Sequence, residues 1–283
     1  MGNDAESSVC PFWFSQLLFP LYNHLLLTDP QRGRIEVVLV SPRNPLNIGA
    51  AARAVANFGL SRLTAVAPYE PHWREAKSAV GAEELLQNAK RAERLAEALA
   101  ECTLVAGTAT LADRRPEQEV IPLPDLAPRV IRELDRGGRV ALVFGPEKRG
   151  LTRDDLALCH LLVEIPTHPR QPSMNLGQAV AVCLYELVRN SQPGTETGAP
   201  PSASAERRAA KVGSNVDAAS MRDLDLLAQV VQDTIEAADY SPAAMQKANR
   251  HDLDLLLRRL ALTRRDARRI LGLFRRILFR LKR

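Results

Sequence analysis

The stretch Ile165 to Val182, IPTHPRQPSMNLGQAVAV, joins the end of an apolar strand to the start of a helix of small residues. Its prolines stiffen the turn, because each proline fixes its own φ. Ser173 and Asn175 can cap the helix that follows and turn exposed backbone N–H groups toward a bound polar group. An ordinary connection between a strand and a helix has a similar composition. By itself, the stretch therefore leaves both interpretations open.

Strands and helices alternate around this stretch. Each predicted strand is a short apolar run, and each predicted helix spaces its apolar residues helically. The predicted strands are Ile35–Val40, Leu63–Val66, Thr103–Ala106, Arg139–Phe144 and Leu161–Ile165, and the predicted helices are Asn47–Phe58, Glu83–Ala100, Asp125–Leu134, a short one capped by Thr152, and Leu176–Arg189. This alternation predicts an α/β fold with a mostly parallel sheet, in which ligands bind beyond the carboxyl ends of the strands.

The composition of the chain predicts four segments. Residues 1–33 form an apolar, aromatic extension of open role that suits neither a membrane span nor a secretory signal. A weak anchor at a membrane surface is the alternative, and we expect no stable membrane association. Residues 34–190 carry the alternating pattern. Residues 191–215 have the Pro, Gly, Ser and Ala content of a linker. Residues 216–283 show only helical patterns and predict a small all-helical domain.

Positive charge is concentrated near the C-terminus. The chain carries a net charge of +5, yet residues 251–283 alone hold eleven Lys and Arg against three acidic residues. Such a block on a near-neutral body is typical of a surface that binds a polyanion, although a solvated helix face has the same composition. The candidate residues for nucleic-acid binding are Arg264, Arg265, Arg268, Arg269, Arg275 and Arg276.

The cysteines and histidines do not suggest a metal site. The four cysteines show no C-x-x-C spacing, and three of them lie in apolar runs, which favours buried thiols in a reducing compartment. The five histidines form no ligand pair. We therefore expect no metal.

Two further stretches contain candidate functional residues. In PLNIGAAAR, from Pro45 to Arg53, small residues allow close packing and Arg53 is suited to phosphate, although a packing helix with one solvated arginine would look alike. In FGPEKRG, from Phe144 to Gly150, two glycines flank a charged loop after a strand and permit close approach of a ligand. The loop lacks the Lys-Ser/Thr pair of a P-loop, and no G-x-G-x-x-G follows the first strand.

Together, these three stretches resemble the motifs of the SpoU/TrmH-type 2′-O-ribose RNA methyltransferases of the SPOUT superfamily. The matching residues are, in motif order, Asn47 and Arg53, then Gly145, Glu147 and Gly150, then Ser173 and Asn175. The resemblance covers roughly residues 35–189. The helical C-terminal segment and the turn from Gly107 to Thr110 look most like the TrmJ subgroup, whose target is a cytidine or uridine at nucleotide 32 of the tRNA anticodon loop.

The resemblance implies a SPOUT fold with a C-terminal trefoil knot, S-adenosylmethionine bound in the knot, and a homodimer in which Arg53 of one subunit reaches the other subunit's site. The catalytic residues that it implies are Arg53, Asn47, Glu147, Ser173 and Asn175. The cofactor-binding residues that it implies are Thr108, Ala109, Thr110, Gly145, Ile165, Pro172, Ser173 and Met174.

Elementary chemistry refines the role of Arg53. A guanidinium is a poor base, so we expect Arg53 to bind the neighbouring phosphate and to stabilise charge that develops on the attacking oxygen. Ser173 and Asn175 would hold the knot loop and orient the substrate, while Glu147 would orient Arg53 or the loop backbone. The resulting expectation is a cytoplasmic tRNA 2′-O-methyltransferase. The same chemistry on ribosomal RNA and a non-catalytic RNA-binding protein are the alternatives, and the choice between cytidine and uridine stays open.

Overall fold

A computed structural model describes residues 27–69, 73–109, 116–189, 217–240 and 242–283. The first 26 residues of the predicted extension, Thr110 and the predicted linker lie outside these ranges. Within them, the predicted alternation of strands and helices in a parallel α/β fold is confirmed. The described ranges contain no helix that is long and apolar enough to cross a membrane.

Seven parallel strands form one sheet in the described part of the chain. Every residue of the two central strands β1 and β6 is buried, which agrees with their apolar sequences. Glu36 of β1 is the exception in sequence, and its carboxylate accepts hydrogen bonds from Arg62 and Thr64. The strands are β1 (Ile35–Val40), β2 (Leu63–Val66), β3 (Lys90–Ala92), β4 (Leu104–Thr108), β5 (Glu119–Pro122), β6 (Val140–Phe144) and β7 (Leu161–Glu164). Their order across the sheet is β3-β2-β1-β6-β4-β7-β5.

Helices cover both faces of the sheet. They are α1 (Asp29–Arg32), α2 (Pro45–Asn57), α3 (Glu83–Gln87), α4 (Leu95–Leu99), α5 (Leu126–Asp135), α6 (Arg153–Ala157), α7 (Leu176–Arg189), α8 (Met221–Ala237), α9 (Gln246–Arg259) and α10 (Arg264–Leu281). The predicted caps are confirmed at α6 and α10, where the side chains of Thr152 and Thr263 accept hydrogen bonds from the backbone N–H groups of Asp155 and Asp266.

The long helix predicted at Glu83–Ala100 is wrong, because two short helices and a strand occupy that segment. Helix α3 ends at Gln87, and Lys90–Ala92 pairs in parallel with β2, with Thr64 opposite Lys90. Glu97 then accepts hydrogen bonds from the backbone N–H of Arg94 at 3.3 Å and from its Nε at 2.8 Å at the start of α4. The Ala, Leu and Glu content favours a helix throughout, but the open edge of β2 offers these residues backbone partners.

The sequence pattern did not predict the edge strand β5, and it predicted the wrong end for β4. Strand β5 pairs with β7 at the edge of the sheet, and only one of its four residues is buried, so it lacks an apolar signature. Gly107 and Thr108 lie in β4 rather than in a turn, because they pair with Leu162 and Val163 of β7.

Helices α8–α10 share a hydrophobic core with one face of the sheet. Met221, Leu224 and Leu227 of α8 belong to the same buried cluster as Val38 of β1 and Leu99 of α4. The boundaries 34–190 and 216–283 stay a prediction, but these helices are packed against the sheet and are not isolated from it.

The three described cysteines are buried and free, as predicted. Burial raises the pKa of Cys102, Cys159 and Cys183 to about 12, so each is a neutral thiol near neutral pH. Next to Cys159, burial lowers the pKa of His160 to about 3, and the nearby charge of Arg258 acts in the same direction. His160 is therefore a neutral structural residue, and its Nδ1 accepts a hydrogen bond from Val105 N–H at 3.1 Å.

Two strands enter the sheet between strands that precede them in the chain. Strand β6 lies between β1 and β4, and β7 lies between β4 and β5. Consecutive strands are neighbours in most sheets, but neither β5 and β6 nor β6 and β7 lie side by side here. The order agrees with the trefoil knot that the resemblance implies, and the knot itself stays a prediction.

Helices α2 and α7 pack closely through small residues, which fixes the two helix starts relative to each other. A Cβ added at Gly177 of α7 would lie 2.7 Å from the Cβ of Ala50 in α2. We expect Gly177→Ala to lower the free energy of unfolding by about 1–3 kcal/mol, since neither helix can retreat without loss of packing.

The matched control is Gly272→Ala in α10, where an added Cβ meets nothing within 4 Å. We expect this change to raise the free energy of unfolding by about 0.5–1 kcal/mol, because alanine favours the helix. Urea unfolding followed by circular dichroism compares the two variants. Stabilisation by both would contradict the close approach of α2 and α7.

Candidate active site

A cavity of about 540 Å³ opens beyond the carboxyl ends of β4, β6 and β7. Three segments form its walls: the end of β4, the loop after β6, and the proline-rich turn after β7. The predicted cofactor-binding residues that line it are Thr108, Ala109, Gly145, Ile165, Pro172, Ser173 and Met174. Thr110 falls outside the described residues. The cavity thus collects residues that are distant in sequence.

The glycines of the loop after β6 allow it to fold back on itself. A Cβ added at Gly145 would lie 2.3 Å from the carbonyl carbon of Gly150 and the backbone N of Leu151. Gly150 has a φ of +63°, and its N–H donates to the Pro146 carbonyl at 2.9 Å. The loop is therefore tightly folded where it forms a wall of the cavity.

Hydrogen bonds within the proline-rich turn hold it over the start of α7. The hydroxyl of Thr167 donates to the Pro172 carbonyl at 3.2 Å, and Gln171 N–H donates to the His168 carbonyl at 2.8 Å. Asn175 Oδ1 accepts from Gly177 N–H at 2.9 Å. Asn175 is therefore the cap of α7, as predicted, whereas Ser173 is exposed and lines the cavity instead of capping the helix.

Side chains from all three sequence motifs meet at the rim of this cavity. Asn47 Nδ2, in the first turn of α2, donates to Glu147 Oε1 at 2.8 Å. Asn175 Nδ2 donates to Asn47 Oδ1 at 2.9 Å. The chain of contacts therefore runs from Asn175 through Asn47 to Glu147, which itself lines the cavity. We call these three residues the rim network.

Glu147 is held as a carboxylate by the donors around it. Its two oxygens also accept from the backbone N–H groups of Arg43 at 3.4 Å and Asn44 at 3.3 Å. Burial raises the pKa of Glu147, but the hydrogen bonds from Asn47 and from the backbone outweigh burial and lower it. Glu147 therefore orients loop backbone, and the expected contact with Arg53 is not formed.

Arg53 lies on α2 but apart from the cavity. Its side chain is exposed, it is not among the cavity-lining residues, and it has no hydrogen bond or ion pair with any residue that the structure describes. Asn47 and Asn175 also lie outside the cavity wall. Of the five predicted catalytic residues, Glu147 and Ser173 line the cavity.

The predicted RNA-binding arginines of α10 fall into two groups. Arg264 is partly buried and lies 3.2 Å from Asp217 and 3.6 Å from Asp223, which gives it a structural role. Arg269 is exposed, with Asp266 at 3.7 Å. The exposed arginines of this set that have no ion pair among the described residues are Arg265, Arg268, Arg275 and Arg276.

Sequence reasoning overlooked two contributions to the site. Asn44 begins α2, with its Oδ1 accepting from Leu46 N–H at 3.0 Å, and its own N–H reaches Glu147. Glu164, at the end of β7, lines the cavity. The N-cap pattern Asn-Pro at residues 44–45 is a recognisable signal for the first contribution. Among the described residues, no cluster of His, Cys, Asp and Glu could hold a metal ion.

Comparison with known proteins places this chain in a family. A model described as the SpoU rRNA Methylase family matches residues 34–185. The chain is 44% identical over 160 residues to a tRNA (cytidine/uridine/adenosine-2′-O-)-methyltransferase TrmJ of Pseudomonas aeruginosa, a match that covers 54% of this chain and 60% of that protein. The chain thus spans about 60% of the length of that curated relative.

Solved structures extend the similarity to the C-terminal helices. TrmJ from Z. mobilis superposes with a TM-score of 0.70 at 27% identity, covering 86% of this chain and 98% of that one. A probable methyltransferase from Bordetella pertussis gives a TM-score of 0.53 at 32% identity, covering 58% of this chain and all of that one. With more than half of its length matched by the family model, the chain belongs to the SpoU rRNA Methylase family.

Proposed function

We propose that this protein transfers a methyl group from S-adenosylmethionine to the ribose 2′-hydroxyl of a pyrimidine in the anticodon loop of tRNA. The observation that carries the proposal is the rim network, which joins Asn47, Glu147 and Asn175 at the edge of the cavity. The similar protein from Pseudomonas aeruginosa is named for this chemistry on tRNA. Its name includes adenosine, so the base acted on is part of the test below.

The cavity fits S-adenosylmethionine in size and in chemical character. A volume of about 540 Å³ lies within the usual range for sites of small molecules. Ile165, Met174 and Leu176 offer apolar contact to an adenine ring, and the Gly145–Gly150 loop offers backbone polar groups. When bound, the cofactor would supply an electrophilic methyl group.

The residues of the chain would act by alignment and by electrostatics. Methyl transfer requires the attacking oxygen in line with the methyl carbon and its leaving sulfur, so precise placement supplies much of the rate. The rim network holds the start of α2 against the cavity wall and would fix the path of the RNA there. Ser173, which is exposed and lines the cavity, would contact either cofactor or ribose.

Arg53 would complete the site from a second subunit. It is exposed on α2 and does not line the cavity of its own chain, which suits a role across a dimer interface. Leu46 of α2, at 55% exposure, and Tyr185 of α7, at 53%, offer apolar surface on the same pair of helices. We propose a homodimer in which Arg53 binds substrate phosphate and stabilises negative charge on the attacking oxygen.

Helix α10 would hold the body of the tRNA. Arg265, Arg268, Arg275 and Arg276 are exposed on α10 without ion pairs among the described residues, so they are available to phosphates. A tRNA substrate implies activity in the cytoplasm. The second candidate substrate is ribosomal RNA, which the description of the matching family favours.

We expect the purified protein, given S-adenosylmethionine and tRNA, to produce a 2′-O-methylated pyrimidine in the anticodon loop. Arg53→Ala should lower the rate by about 100-fold or more while cofactor binding is retained, because it removes transition-state charge stabilisation. Arg53→Lys should stay well below the native rate, because an ammonium cannot replace the bidentate fork.

Mass spectrometry of digested tRNA, with cofactor affinity from calorimetry, measures these outcomes. Methylation of ribosomal RNA but not of tRNA would select the second candidate. A protein that binds RNA and methylates neither would be the non-catalytic alternative. A near-native rate for Arg53→Lys would contradict the role of the phosphate fork.

The joint substitution of Arg268, Arg275 and Arg276 by Gln should weaken tRNA binding and reduce its dependence on salt. Loss of three phosphate contacts is expected to lower the slope of log K against log salt by up to about 3. The matched control replaces Arg91, Arg94 and Arg129 by Gln, since each of these already pairs with a glutamate. Filter binding across a salt series compares the two variants, and equal slopes would disprove the proposed RNA contact of α10.

A further inference from the structure

We propose that Arg43 and Tyr69 form a stacking site for an unpaired RNA base beside the reacting ribose. The guanidinium carbon of Arg43 lies 5.5 Å from the centre of the Tyr69 ring. Both side chains are exposed, and 69% of Tyr69 is accessible to solvent. The inference rests on the proposed function and adds the part of the substrate that this surface would take. We call the pair the Arg43–Tyr69 platform.

The platform is fixed to the rim network through the backbone. Arg43 N–H donates to Glu147 Oε2 at 3.4 Å, and Tyr69 N–H donates to the Pro42 carbonyl at 3.1 Å. Glu147 lines the cavity proposed for the cofactor. An RNA segment that presents its ribose at this cavity would therefore pass next to the platform.

The backbone that carries the platform is strained. Ser41 and Ala67 follow β1 and β2 directly, and their φ angles are +45° and +43°, a conformation that non-glycine residues rarely adopt. Backbone hydrogen bonds fix both residues. Ser41 N–H donates to the Val66 carbonyl at 2.8 Å, and Ala67 N–H donates to the Ala92 carbonyl at 2.8 Å. Positive φ angles also occur at Asp239 and Ala261, so the strain is consistent with a binding surface at the platform but does not by itself indicate one.

The chemistry of the platform suits a nucleobase. Bases of single-stranded RNA are recognised by stacking on aromatic rings and on the planes of arginine side chains. The Tyr69 ring and the Arg43 guanidinium are already in contact, so a base that stacks on either group becomes the third member of one stack. An unpaired loop nucleotide whose base has left the RNA stack would regain stacking on the platform. The base of a paired nucleotide is held in its helix and cannot reach the platform.

A second tyrosine that is strongly exposed, Tyr240, provides the matched control. Tyr240 is 80% exposed and follows α8 in the C-terminal helices, away from the rim network. Both tyrosines lie on the surface, so Tyr69→Ala and Tyr240→Ala each delete a solvent-exposed phenol ring. A general effect of losing an exposed aromatic side chain would therefore appear in both variants.

The test measures methylation kinetics with full-length tRNA for Tyr69→Ala, Tyr69→Phe, Arg43→Ala and Tyr240→Ala. We expect Tyr69→Ala to raise KM for tRNA by about ten-fold, with cofactor affinity unchanged, because one stacked base is lost. Tyr69→Phe should stay within about two-fold of the native protein, because it keeps the ring. Arg43→Ala should also raise KM, and Tyr240→Ala should not.

A second arm identifies the base. The tRNA is prepared with an abasic residue at the target nucleotide, at its 5′ neighbour or at its 3′ neighbour. At one of these positions, the abasic residue should raise the KM of the native protein as much as Tyr69→Ala raises it with intact tRNA. Tyr69→Ala combined with that abasic tRNA should raise KM no further. Full additivity at all three positions would overturn the stacking site.

Other outcomes separate this inference from the proposed function. If the native protein methylates tRNA and Tyr69→Ala does so equally well, the stacking site is wrong and the proposed function stands. If the native protein methylates no RNA, the proposed function and the stacking site are both wrong. A change of oligomeric mass in Tyr69→Ala, measured by light scattering, would assign Tyr69 to a subunit contact and overturn the stacking site.

Discussion

The carboxylate of Glu147 accepts hydrogen bonds from the side chain of Asn47 and from the backbone N–H groups of Arg43 and Asn44. These contacts connect the loop after β6 to the start of α2, and Asn175 adds the start of α7. A partly buried carboxylate keeps its charge only where donors replace its water, and three donors do so here. The geometry of the cavity rim depends on this one group.

Close packing of helices makes these contacts possible. Gly177 lets α7 approach Ala50 of α2, so that Asn47 and Asn175 lie within hydrogen-bond distance although 128 residues separate them in the chain. The interleaved sheet contributes as well, because it places the end of β6 between β1 and β4. Glu147 thereby reaches α2 on one side and the cavity on the other. The geometry of this site is a consequence of topology as much as of side chains.

Local signals in the sequence predicted much of the architecture. Apolar runs predicted β1, β2 and β6, and capping residues predicted the starts of α6, α7 and α10. The prediction of one helix at residues 83–100 was wrong because pairing with β2 outweighs helix propensity. Strand β5 was not predicted because an edge strand needs few apolar residues. The rim network was beyond periodicity arguments, because its bonds join residues 100 and 128 positions apart. Only the resemblance of the motifs to a family suggested that these residues act together.

The central claim is that the rim network acts as one unit in methyl transfer. A double-mutant cycle of Asn47→Ala and Glu147→Gln, measured as kcat/KM for tRNA methylation, tests it most directly. Each single change should cost roughly ten-fold or more, and the double variant should cost little more than either, which corresponds to a coupling of about 1 kcal/mol or greater. Losses that simply add would show that the two residues act independently and would contradict the account.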